Sequence, residues 1–112
     1  MPLYEKPSGI DDPVLISAAK DLFHDLSSVQ LKIVNRSALN IMNEGKTFIE
    51  IYLSAVNLYQ KINTSENLFD RAFAIRSFKT YYDQHADALN HIEEKIIRLN
   101  KSWIEIKKKY AV

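Results

Sequence analysis

Leu68, Ile75, Tyr82, Leu89, Ile96, Trp103 and Tyr110 follow one another at intervals of seven, and all seven are apolar or aromatic. A second track runs three residues behind, through Phe78, Ile92, Leu99 and Ile106, with Arg71 and His85 as its polar members. The combined 3-4 spacing is that of a coiled-coil seam, sustained over about six heptads. Such a pattern suits a helix, because side chains three and four apart fall on one helical face. It predicts one long amphipathic helix from about Ser65 to Tyr110, whose seam meets an oligomer mate or a partner. Lys107, Lys108 and Lys109 near its end suit the negative pole of the helix dipole.

Few residues oppose helix. Pro2, Pro7, Gly9 and Pro13 all lie at the front, and only Gly45 comes later. No run alternates at period two between hairpin turn residues, so strands are not expected. With 46% hydrophobic residues the composition is that of a folded chain, and 112 residues suit one domain. A net charge of +1 offers no general attraction for nucleic acid. The absence of cysteine excludes disulfides and thiolate metal sites. No apolar run approaches the ~18 residues a membrane span needs, and no signal peptide is legible, so the expectation is a cytoplasmic protein.

Met1 to Asp11 reads as a flexible lead, and residues 12–112 as a single helical domain. Asp12-Pro13 starts the first helix: Asp12 offers a capping oxygen, and proline at the first helical position sacrifices no hydrogen bond. Leu15, Ala19, Leu22, Leu26, Val29 and Ile33 form its apolar face, with Phe23 beside them. Near residue 30 the stripe changes phase, to Leu31, Val34, Ala38, Ile41, Gly45, Phe48, Tyr52, Ala55, Tyr59 and Ile62. The change signals a kink or a rotated face somewhere in residues 30–45. Gly45 lies on the stripe, where it disfavours helix by about 1 kcal/mol yet permits close helix approach. Asn63-Thr64-Ser65-Glu66 breaks the second half, with Asn63 or Thr64 as the next cap.

The two arms are of similar length and joined by a short turn. The expected fold is all-α: a long antiparallel helical hairpin if the first arm is unbroken, or a three-helix bundle if it breaks. A lone hairpin buries only one side of each arm, so self-association is expected. Phe48, Ile49, Tyr52, Leu53, Val56 and Tyr59 make an apolar face wider than a two-helix contact covers. That face is either bundle core or a surface for a partner or an apolar particle.

Catalytic and metal signatures are lacking. There is no Gly-rich phosphate loop, no nucleophile elbow and no His-Glu-x-x-His. Asp83, Asp87, His91 and Glu94 share a helix side, but the Glu-x-x-His pairs of di-metal bundles do not occur. The expectation is a non-enzymatic protein without cofactor. Arg71, Arg76, Lys79 and Lys101 are diluted by Glu93, Glu94 and Glu105, as on an ordinary solvated helix, and nucleic acid is not expected as a partner.

Asn40-Ile41-Met42-Asn43-Glu44-Gly45 leads into an aromatic and aliphatic helix ending at Ile62. The polar connector Asn63 to Asn67 follows, then Arg71-Ala72-Phe73-Ala74 and Tyr81-Tyr82-Asp83-Gln84 open the long helix. Over about Asn35 to Ile106 this order resembles the phasin family, small helical proteins that coat polyhydroxyalkanoate granules. The resemblance implies a granule-associated oligomer that lays Phe48, Ile49, Tyr52, Leu53 and Val56 on the polymer. The competing expectation is a helical adaptor that binds a protein partner through its seam.

Overall fold

The computed structural model describes residues 9–32 and 35–112. Among them the regular elements are helices, as the sequence leads one to expect. The first, α1, spans Pro13–Ser28. Asp12 Oδ1 accepts from the backbone N–H of Val14 at 3.0 Å and of Leu15 at 3.4 Å, which is the cap foreseen for it. Leu15, Ala19, Leu22 and Leu26 are buried, while Ile33 and Val34 fall outside the described residues.

The first arm is broken. α1 stops at Ser28, and α2 runs over Arg36–Thr64. Asn35 caps α2, its Oδ1 accepting from Ser37 N at 2.8 Å. The change of stripe near residue 30 therefore marks a true helix end. Gly45, by contrast, sits inside α2 and is buried. A Cβ built there would stand 2.7 Å from Leu99 Cδ1, so the glycine is what lets the last helix approach this closely.

α2 continues to Thr64, past the caps expected at Asn63 and Thr64. The cap falls instead on Asn67, whose Oδ1 accepts from Asp70 N at 2.7 Å while its Nδ2 donates to Asp70 at 2.9 Å. α3 then spans Leu68–Gln84.

The single helix expected from Ser65 to Tyr110 is in fact three. A four-residue α4, Ala86–Leu89, separates α3 from α5, Ile92–Tyr110. The join passes through His91, which adopts left-handed φ 58° and ψ 45°. The physical reason lies in the mismatch between 3.6 and 3.5 residues per turn: a straight helix drifts by ~20° per heptad against a strict seven-residue stripe. A break resets the phase, so that Ile75 and Phe78 before it and Leu89, Ile92 and Ile96 after it are all buried. Lys95 Nζ donates to the carbonyls of Asp87 and Ala88, and so satisfies backbone groups that the break leaves open.

α2 is the central element, packed against each of the other four helices. α3 runs back along its C-terminal half, where Tyr59 and Phe78 meet edge to face at 5.6 Å. α5 continues along the N-terminal half, and α1 lies against both α2 and α5. The body is elongated, 52 × 22 × 17 Å. Both ends of the described segment make contacts with the body. Val112 N donates to Gln30 O at 3.1 Å and Lys32 N to Tyr110 O, pinning the last residues to the α1–α2 connector. At the other end Ile10 is buried, and Tyr52 donates its hydroxyl to Gly9 O at 2.7 Å. Gly9 and Ile10, expected in the lead before residue 12, thus pack onto the helical body.

Candidate interaction surfaces

The face of α2 expected to meet a partner or particle lies inside the molecule. Ile49 and Tyr52 are 0% exposed, Val56 and Tyr59 are buried, and Phe48 and Leu53 are partly buried against the same core. The helices packed on α2 cover Ile49, Tyr52, Val56 and Tyr59, which are core residues in this fold, while Phe48 and Leu53 lie at the edge of the core.

The seam is likewise used within the chain. Ile75, Phe78, Leu89, Ile92, Ile96, Trp103 and Ile106 are buried, and Tyr82, Leu99 and Tyr110 pack against that core. In this fold they pack against this chain's own α1 and α2. Of its polar members, Arg71 donates to Ser65 O at 3.2 Å, and His85 packs against Tyr81 in a tilted ring pair at 4.5 Å. Leu68 alone among the apolar seam residues stands out, at 82% exposure.

Leu68 is not isolated there. Phe69 is 84% exposed and Phe73 is 67% exposed. α3 buries Ala74, Ile75 and Phe78 toward α2, and Phe69 and Phe73, four apart, occupy the opposite side of the same helix. With the exposed Ala72 between them they make an apolar tip at the start of α3. Heptad reading missed it because these phenylalanines are off the seam. The available signal was that α3 carries large apolar residues on both faces, more than one packing surface needs.

A second surface lies between α1 and α5. Leu15, Ala18, Leu22, Ile96 and Ile97 floor a groove of about 670 Å³, with Asp21, His24 and Asn100 among its polar residues. Asp25 and Lys107 also line it, and Asp25 belongs to a node of three side chains. Asp25 Oδ2 accepts from Trp103 Nε1 at 2.6 Å and from Lys107 Nζ at 2.7 Å. The hydrogen bond from Lys107, and then that from Trp103, hold the Asp25 carboxyl below the usual carboxylate range, against a smaller opposing effect of burial. Trp103 thus enters the core as an aromatic body whose polar edge is satisfied from α1.

A smaller groove of about 270 Å³ between α2 and α5 contains Ile41, Phe48 and Leu99, with Lys95 Nζ 6.0 Å from the Phe48 ring centre. Among the described residues no three His, Asp or Glu side chains gather as a metal site would require. The bend at His91 interrupts the helix side that Asp83, Asp87 and Glu94 would otherwise share. Among those residues, too, no helix is long and apolar enough to cross a membrane. Comparison with protein-family models, curated proteins and solved structures finds no match to this chain.

Proposed function

We propose that this chain is a non-enzymatic helical adaptor that binds a protein partner through the apolar tip of α3. The observation that carries the reading is the exposure of Phe69 and Phe73 on the side of α3 opposite its buried face, with Leu68 exposed beside them at the start of the helix. Together these side chains offer roughly 400 Å² of apolar surface, if each large side chain presents ~150–200 Å². That lies in the range of the largest patch on a typical monomer, where binding sites concentrate. Two aromatics in adjacent turns suit the anchor role that dominates protein interfaces.

Ile49, Tyr52, Val56 and Tyr59, to which the granule-coating reading assigns polymer contact, are buried in this fold. That reading would have to work through the tip alone or through opening of the helices.

The test compares the wild type with Phe69→Ser/Phe73→Ser in affinity capture from the native cells, with circular dichroism as the fold control. A discrete partner retained by the wild type and lost from an equally helical variant is the expected result. Equal capture by both overturns the tip as the site. Co-sedimentation with polyhydroxybutyrate granules but not with liposomes would return the granule reading to first place.

A further inference from the structure

The tip stands beside the C-terminal end of α2, and the N-terminal end of that helix, about 43 Å away along its axis, has a different character. We infer that this second end docks a short acidic peptide segment, separately from whatever the tip binds.

The surface is not visible in the sequence, where Lys32 and Arg36 stand far from Lys107, Lys108 and Lys109. The backbone brings them together. Lys32 N donates to Tyr110 O, Val112 N donates to Gln30 O at 3.1 Å, and Leu31 pairs with Ala111 in an isolated antiparallel bridge. Asn35 and Ser37, on either side of Arg36, line a groove of about 280 Å³ with Lys109 and Tyr110.

Positive charge collects at this end. Lys107 is held by Asp25 at 2.7 Å. Lys32, Arg36, Lys108 and Lys109 are exposed, and among the described residues they have no ion-pair partner. Glu105, on the groove, is a carboxylate set against them. These five cations and two carboxylates leave an excess of three positive side chains, so with +1 for the whole chain the rest of the molecule carries −2. α2 also has no acidic residue in its first turn, so a carboxylate from outside meets the positive end of its dipole.

That distribution selects the kind of partner. A long polyanion such as a nucleic acid would run off the basic end onto a body of its own sign. Screening confines the attraction to about 8 Å at physiological salt, so it acts on a segment lying over the end itself. The body is 22 × 17 Å in cross-section. An extended peptide of about six residues, at ~3.3 Å each, covers that span.

The test titrates fluorescein-labelled octaglutamate with the full chain at low salt and reads anisotropy, with circular dichroism of each variant as the fold control. Saturable binding is expected, weakening about tenfold when salt is raised from ~20 to ~200 mM. Lys108→Glu/Lys109→Glu, and separately Lys32→Glu/Arg36→Glu, should each weaken it about tenfold. Lys20→Glu/Lys61→Glu, which shifts the net charge equally at exposed sites elsewhere, should change it by less than about twofold. Octaglutamate that fails to bind, or that binds the three variants equally, overturns the surface. An eight-residue thymidine oligonucleotide bound more tightly than octaglutamate overturns the peptide in favour of nucleic acid. Phe69→Ser/Phe73→Ser should leave octaglutamate binding unchanged, so this surface and the tip stand or fall separately.

Discussion

At the residue scale, two polar contacts tie distant parts of the chain together, and each should be visible in how stability depends on pH. Asp25 receives hydrogen bonds from Trp103 and Lys107, 78 and 82 residues away. Its carboxyl titrates below the ordinary value because those donors, Lys107 foremost, favour the charged form. The stabilisation is therefore present above the unfolded carboxylate value near 4 and is lost as pH falls through the lower folded value. Asp25→Asn should cost about 1 kcal/mol at pH 7, a modest figure because the pair is about one-third exposed and screened by solvent. The cost should shrink in acid, as denaturant midpoints at pH 7 and pH 3 would reveal. Tyr52 works at the opposite end of the scale. Burial, with help from Asp12 and Asp11, pushes its hydroxyl up to about 12. The neutral form is the one folded, so its contribution is complete below about 10 and disappears as pH climbs toward the folded value. Spectrophotometric titration should show a late step from Tyr52. Tyr52→Phe should remove that late step and destabilise by about 1 kcal/mol through loss of the bond to Gly9 O. An unchanged titration curve in this variant would remove Tyr52 as its source.

At the scale of the element, the helices were legible and their ends were less so. Asp12-Pro13 marked the start of α1 because a capping oxygen and a proline constrain the backbone locally, without reference to the rest of the fold. The α2–α3 connector was legible as a polar run, but which residue capped α3 was not. Asn63, Thr64 and Asn67 all carry suitable side chains, and tertiary packing of Ile62 kept α2 helical through Thr64. The break at His91 left the weakest trace. Nothing in Asn90-His91 forbids helix, and the seven-residue stripe runs through it undisturbed. Its cause is cumulative drift between the stripe and the helix, which no single residue announces. Histidine tolerates the left-handed region better than most residues but still at a cost of about 1 kcal/mol. His91→Gly should therefore raise stability by about 1 kcal/mol, and His91→Val should lower it, in thermal or denaturant melts. A destabilised glycine variant would mean that the His91 side chain contributes more than its backbone loses.

At the scale of the whole molecule, periodicity identified which residues pack but not what they pack against. The stripe of α5 and the wide face of α2 look the same whether a neighbour comes from this chain or another. Here α3 and α5 pack along α2, and α1 folds against α2 and α5. Ile49 is the sharpest discriminator. As a core residue with no exposure, its replacement by alanine should cost about 3 kcal/mol. As a residue on an outer binding face, it would change the melting of the isolated chain by no more than about 0.5 kcal/mol. The tip was illegible for the converse reason: Phe69 and Phe73 match no stripe, and their importance emerges only when the opposite face of α3 is seen to be already buried.

The account turns on that tip, and the most direct test is a photo-crosslinking residue placed at Phe73 in the native cells, with the same residue at exposed Thr47 on α2 as the reference. The account predicts discrete protein adducts at position 73 that are absent at position 47. The same sparse background at both positions would contradict it.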